Sequence, residues 1–109
     1  MAYHVERMNK IAMRELSSIL LIDSKNPLLK FVSITKVMLT ADLSYATVWY
    51  SIIGKDTEIE ATKKALEESK GFLRTELSKR LEIRKTPDLR FKYDESLEYG
   101  KHIEELLNK

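Results

Sequence analysis

The spacing of hydrophobic residues in the first half of the chain changes from a helical period to a strand period. Apolar residues recur every three to four positions over Tyr3–Leu21, which predicts a helix. Phe31–Thr40 and Tyr45–Ile53 alternate apolar and polar residues, which predicts an antiparallel hairpin. The apolar phase of the first strand shifts after Ile34, so we expect a β-bulge near Thr35-Lys36 that keeps the later apolar residues on the core face.

The second half predicts two helices, a strand and a last helix. Thr57-Glu58-Ile59-Glu60 matches a capping box and predicts a helix start. Ser69-Lys70-Gly71 interrupts the helical pattern, so we expect a kink between two helices, the second with its apolar residues facing inward. Leu89–Tyr93 alternates apolar and basic residues and predicts a third strand. The residues expected to face inward on the helix after the kink are Phe72, Leu73, Leu77 and Leu81.

The predicted element order is α-β-β-α-α-β, followed by a C-terminal helix over about 96–108. A chain of 109 residues cannot cover both faces of a three-stranded sheet with these helices. We therefore predict an α+β fold in which the helices pack on one side of the sheet. The length favours one domain over residues 1–109.

Composition excludes several classes of function. The chain has no cysteine, which removes disulfides, thiolate catalysis and thiolate metal sites and favours the reducing cytoplasm. No apolar stretch is long enough to span a membrane. His4 and His102 lie far apart in the sequence, and adjacent acidic pairs such as Glu67-Glu68 point apart, so no metal or acid–base site is indicated. We expect no enzyme activity, no cofactor, no metal and no small-molecule substrate.

Charge is segregated along the chain although the net charge is only +2. Lys70–Lys92 holds eight basic and three acidic residues, whereas Val37–Ser69 has a net charge of −3. The basic segment begins at the expected helix start after the kink, where backbone N–H groups and the helix dipole favour an anion. Clustered positive charge of this kind is typical of proteins that bind phosphates.

These patterns give a set of candidate RNA-binding residues. A weaker second patch is predicted on one face of the first helix, at Arg7, Lys10 and Arg14. Trp49, Tyr45 and Tyr50 could stack on bases, but strand aromatics in a small domain are more often part of the core. The candidates of the main cluster are Lys70, Gly71, Arg74, Lys79, Arg80, Arg84, Lys85, Arg90 and Lys92, with Ser69, Lys70 and Gly71 forming the kink.

Three segments resemble the bacterial ribosome-binding factor A family. They are VMLTADLSYATV at Val37–Val48, GFLR at Gly71–Arg74 and LEIRKTPDLRFKYD at Leu81–Asp94, in the family's order and spacing. Ser69-Lys70-Gly71 aligns with the family's Ala-x-Gly kink, with Ser in place of Ala. Asn26-Pro27-Leu28 replaces the family's Asp-Pro-Arg-like turn.

The resemblance implies a type II KH-like domain and a cytoplasmic assembly factor. Such a factor binds the free 30S ribosomal subunit and its 16S rRNA. It assists late maturation and 5′-end processing of that RNA without catalysing it, and is associated with growth in the cold. We expect a monomer. Two alternatives remain: a protein-interaction module whose basic face docks an acidic partner, and, ranked last, a small ribonuclease.

Overall fold

The computed structural model describes residues 2–81, 83 and 86–95, which form three helices and three strands, with two short helical segments between the first helix and the first strand. The C-terminal helix predicted over about 96–108 lies outside the described residues. The helices and strands are α1 (Ala2–Ser18), β1 (Val32–Leu39), β2 (Tyr45–Ile52), α2 (Asp56–Glu68), α3 (Lys70–Leu81) and β3 (Asp88–Tyr93).

The first helix ends in a π-helical turn, Ile19–Asp23, and a short 3-10 helix, Pro27–Phe31, leads into β1. Asn26 caps the 3-10 helix: its Oδ1 accepts the Leu28 N–H at 3.0 Å. Pro27 occupies the first turn, where no backbone N–H is needed.

The strands form one sheet in the order β1-β2-β3, with β1 antiparallel and β3 parallel to β2. A parallel neighbour requires a crossover, and α2 and α3 supply it. The predicted bulge is confirmed, because the register of β1 shifts between Ile34 and Lys36. As a result Ile34 and Val37 both face the core, while Lys36 falls on the opposite face beside Trp49.

The core lies between one face of the sheet and the helices. Alternate residues of β2 (Ala46, Val48, Tyr50 and Ile52) are buried, as the alternation predicted. Leu73 and Leu77 of α3 are fully buried in the same core. The predicted α+β architecture, with helices on one side of a three-stranded sheet, is confirmed.

Two local predictions are wrong. Phe72 is 38% exposed rather than inward, because it lies about 100° around α3 from the buried Leu73. The second helix starts at Asp56, one residue before Thr57, so Thr57 is not its cap. Glu58 supplies the contact instead: its Oε2 accepts the Lys55 N–H at 3.3 Å.

Candidate nucleic-acid interface

The break between the two helices is one residue long, whereas the sequence predicted a kink of three residues. Ser69 separates α2 from α3, and Lys70 and Gly71 belong to the first turn of α3. The Ser69 N–H donates to the carbonyl of Ala65 at 3.0 Å, and the Ser69 carbonyl accepts the Leu73 N–H at 2.9 Å. Ser69 therefore ends the hydrogen bonding of α2 through its N–H and begins that of α3 through its carbonyl.

Gly71 does not serve as a special turn. Its φ is not positive, and a Cβ built on it meets no atom within 4 Å. The residue is an ordinary helical glycine with open space outside it. A close phosphate approach at this backbone is sterically possible, but the conformation gives no reason for glycine to be required.

Two candidate cations of α3 lie on the flank that faces β3. Lys70 Nζ is 3.1 Å from a carboxylate oxygen of Glu67 and 5.6 Å from the centre of the Phe91 ring. Arg74 Nη2 donates to the Thr86 carbonyl at 3.0 Å and lies 3.3 Å from Asp88 Oδ1. These contacts tie α3 to the start of β3.

Two further cations of α3 point in other directions. Arg80 Nη1 lies 3.1 Å from Glu15 Oε2 on α1, so it joins the two helices. Lys79 lies opposite the buried face of α3, and its Nζ is 3.4 Å from Glu76 Oε1. The side chain of Lys79 is 68% exposed, which makes it the most outward of the ion-paired cations on α3.

These cations can still bind a phosphate although each is paired with an acidic side chain. Exposed ion pairs contribute at most about 1 kcal/mol, since water screens both charges. The Lys70–Glu67 pair, with side chains 37% and 57% exposed, belongs to this class. An approaching phosphate can take the place of the carboxylate at little cost.

The structure divides the predicted main cluster between two faces of the molecule. Lys70, Gly71, Arg74, Lys79 and Arg80 lie on the helical side. Arg90 and Lys92 lie on the sheet face that is turned away from the helices, because they alternate with the core residue Leu89. Arg84 and Lys85 lie outside the described residues.

The second patch lies on the exposed side of α1. Arg7, Lys10 and Arg14 are all exposed and share the side of α1 opposite the buried Leu16. Arg14 Nη2 is 3.5 Å from Glu15 Oε1. Because Arg80 bonds the same Glu15, Arg80 is the cation of α3 that lies beside the patch on α1.

Sequence reasoning missed an aromatic pair on the outer sheet face. Of the three strand aromatics expected in the core, Tyr50 is buried at 5% exposure, whereas Tyr45 is 38% exposed. Trp49 is half-buried and shares the face of Tyr45. The signal was present in the strand alternation, since Tyr45 and Trp49 are out of phase with the buried Ala46 and Val48.

The described residues give no indication of a metal or membrane site. Among residues 2–81, 83 and 86–95, no three His, Cys, Asp or Glu side chains gather so that they could hold a metal ion. Within the same ranges, no helix combines the length and apolar character needed to cross a membrane.

The fold defines the class of protein first: an α-β-β-α-α-β unit with helices on one side of the sheet is a KH-like domain. Solved structures share it. A crystal structure of ribosome-binding factor A from Thermus thermophilus matches with a TM-score of 0.70 and 21% identity, over 82% of this chain and 94% of that chain. A solution NMR structure of a candidate ribosome-binding factor A from Thermotoga maritima matches with a TM-score of 0.72 and 32% identity, over 88% and 92%.

Sequence comparison then gives the family. The sequence model of ribosome-binding factor A matches residues 4–107. Ribosome-binding factor A of Macrococcus caseolyticus is 40% identical over 107 residues, which are 98% of this chain and 94% of that protein. The chain therefore belongs to the ribosome-binding factor A family, as the resemblance predicted.

Proposed function

We propose that the protein binds the small (30S) ribosomal subunit through its 16S rRNA and assists late maturation of that RNA without catalysing it. Membership of the ribosome-binding factor A family is the observation that carries the proposal. A Thermus thermophilus relative of the same fold, with a TM-score of 0.67 and 22% identity over 85% of this chain and 94% of that chain, was fitted into a map of a 30S complex.

The chemistry that supports RNA binding lies on the helical side. Lys70, Arg74 and Lys79 carry exposed cationic groups whose acidic neighbours lie within 4 Å. Exchanging a screened carboxylate for a phosphate keeps each cation paired and releases counterions from the RNA. We assign this contact to side chains rather than to the start of α3, because α2 ends directly before it and the opposite dipole ends of the two helices partly cancel there.

Assistance without catalysis follows from differential binding. A protein that binds an immature rRNA conformer more tightly than the mature one shifts the equilibrium between them, and at saturation the ratio of the two conformers changes by the ratio of the two affinities. Phosphate contacts carry no sequence information, so we assign discrimination to the shape of the folded RNA. The proposal includes support of 5′-end processing, a cytoplasmic location, a role in growth in the cold and action as a monomer.

The test is RNA affinity measured across salt concentration for two matched double variants. Lys70→Gln with Lys79→Gln removes two charges from α3. Lys55→Gln with Lys64→Gln removes two exposed charges from the start and outer side of α2. We expect the α3 variant to weaken binding to a 16S rRNA fragment. The slope of log affinity against log salt should flatten by about 0.7 to 0.9 for each lost contact.

The same titration separates the alternatives. The α2 variant should keep its affinity within about twofold, since its charges lie on another helix and act on the α3 contact only through the screened field. Equal losses in both variants would contradict the assignment to α3. An acidic polypeptide that displaces the RNA at comparable concentration would favour a protein-docking module. An RNA-cleaving activity that co-purifies with the protein would favour a ribonuclease.

A further inference from the structure

The sheet face turned away from the helices, called here the open face, combines aromatic rings with cations. It is formed by the strand residues that are out of phase with the core. Their side chains are exposed or half-buried. They are Lys36, Met38, Tyr45, Thr47, Trp49, Arg90 and Lys92.

Trp49 lies between two lysines on the neighbouring strands, so that one row across the three strands reads lysine, tryptophan, lysine. The register pairs it with Lys36 of β1 on one side and with Lys92 of β3 on the other. The two Nζ atoms lie 5.2 Å and 5.9 Å from the centre of the indole. The β1 bulge is what brings Lys36 to this face, so the arrangement depends on an irregularity of the backbone.

A second ring with a cation over it lies at the start of β2, where Arg90 covers Tyr45. The guanidinium carbon of Arg90 lies 3.8 Å from the centre of the Tyr45 ring, which is the distance of a stacked contact. The face therefore presents two aromatic rings, each covered by a cation, along the same strand.

The carboxylates at the ends of this face are bonded to neighbours. Asp88, beside Tyr45, lies 3.3 Å from Arg74. Asp94 Oδ2 accepts the Thr35 hydroxyl at 2.8 Å. Between these two ends, the charged side chains that the described residues place in the middle of the open face are Lys36, Arg90 and Lys92, all positive.

We propose that the open face binds a single-stranded segment of RNA, with one base stacked on Trp49 and the flanking phosphates held by Lys36 and Lys92. The inference rests on the proposed function and adds a second contact surface, on the side of the molecule opposite α3. An exposed cation–π contact is weaker than the stacking of a base on an aromatic ring. A base can therefore displace one ammonium group from the indole, and the freed lysine, on its flexible stem, can pair with a phosphate.

Single-stranded RNA fits the face better than an acidic protein segment does. An acidic peptide would use the ammonium groups and leave the indole and phenol rings without a matching partner. A nucleotide supplies both a planar base and an anion, which are the two groups that the open face is built to receive.

Trp49 is the one tryptophan of the chain, so its fluorescence reports on this face alone. The probe is a single-stranded RNA of about ten nucleotides, within the usual site size, made of A and C so that it cannot pair with itself. We expect it to quench the Trp49 emission and to protect the indole from acrylamide. A duplex RNA of the same length should do neither, because its bases are already stacked on one another.

Variants measured with labelled RNA complete the test. Trp49→Leu keeps apolar bulk in the strand but removes the ring. It should weaken single-strand binding about 5- to 100-fold and leave duplex binding within about twofold. Trp49→Phe keeps a ring and should restore most of the affinity. Lys36→Gln with Lys92→Gln should weaken single-strand binding more than Lys55→Gln with Lys64→Gln does.

The outcomes separate this inference from the proposed function. Suppose that Trp49 emission does not respond and Trp49→Leu binds like the wild type, while the α3 variant is still weakened. The open face is then not an RNA surface, although the proposed function stands. Protection of the indole before RNA is added would overturn the inference, as would equal quenching by oligoglutamate. Failure of the wild type to bind the short single strand and the 16S rRNA fragment alike would overturn both.

Discussion

Replacement of Gly71 by alanine tests how the helix junction works. Gly71 is the second residue of α3, its φ is not positive, and an added Cβ meets no atom within 4 Å. Alanine therefore fits the folded state without strain, while it restricts the unfolded chain. We expect Gly71→Ala to stabilise the protein rather than damage the junction.

The expected gain is small but measurable. Glycine costs about 1 kcal/mol relative to alanine inside a helix, and less in the first turn, where fewer backbone bonds depend on it. A gain of about 0.5 kcal/mol should raise the melting temperature of a domain of this size by about 2–4 °C. RNA affinity should stay within about twofold, since we assign phosphate binding to side chains.

Gly54→Ala is the matched control. A Cβ at Gly54 would lie 2.7 Å from Glu58 Oε2, the atom that accepts the Lys55 N–H. The same substitution should therefore bring no net stabilisation, because the cap of α2 is disturbed. Thermal unfolding and RNA titration of both variants check the reasoning. Destabilisation by Gly71→Ala would refute the helical assignment, and a selective loss of RNA affinity would show that a phosphate approaches this backbone.

Two further predictions concern the core. Leu77→Ala should lower the free energy of unfolding by about 2–5 kcal/mol in urea titrations, because Leu77 is fully buried; Phe72→Ala, at a side chain 38% exposed, should cost clearly less. Burial, with smaller contributions from Glu67, Tyr93 and Glu60, raises the pKa of the Tyr50 hydroxyl above its ordinary 10.0. Above about pH 10 the unfolded chain loses this proton before the folded protein does, so the free energy of unfolding falls as pH rises. Tyr50→Phe should lose less stability than the wild type between about pH 9 and 11, and an identical loss would contradict the assignment.

The order of elements could be predicted from the sequence because strand alternation and helical period are local properties. The bulge in β1 is the clearest case. Ile34 and Val37 can both reach the core only if one extra residue is inserted between them, and the observed register shift lies there. The junction at Ser69 was predicted for a similar reason, since the helical pattern breaks at that residue.

The location of the charges could not be predicted in the same way. The stretch Lys70–Lys92 is uniformly basic in sequence, but α3 turns by about 100° per residue and β3 alternates between faces. Arg80 therefore reaches Glu15 on α1, whereas Arg90 lies on the other side of the sheet against Tyr45. Only the packing of the helices on one face decides which cations share a surface.

The aromatic residues show the limit of a compositional argument. Aromatic residues in strands of small domains are mostly buried, and Tyr50 follows that tendency at 5% exposure. Tyr45 and Trp49 do not, because α1, α2 and α3 pack on the other face of this sheet. The strand alternation places Tyr50 on the core face and Tyr45 and Trp49 on the other face, so it predicts their exposure better than residue type does.

Co-sedimentation with ribosomal particles tests the central claim most directly. The wild type, the α3 variant (Lys70→Gln with Lys79→Gln) and the α2 control (Lys55→Gln with Lys64→Gln) are each run with purified 30S, 50S and 70S particles at two salt concentrations. We expect the wild type and the control to migrate with free 30S subunits. The α3 variant should be released from them, and more completely at the higher salt concentration. Migration of the wild type with 50S subunits instead of 30S, or retention of the α3 variant on 30S at both salt concentrations, would contradict the account.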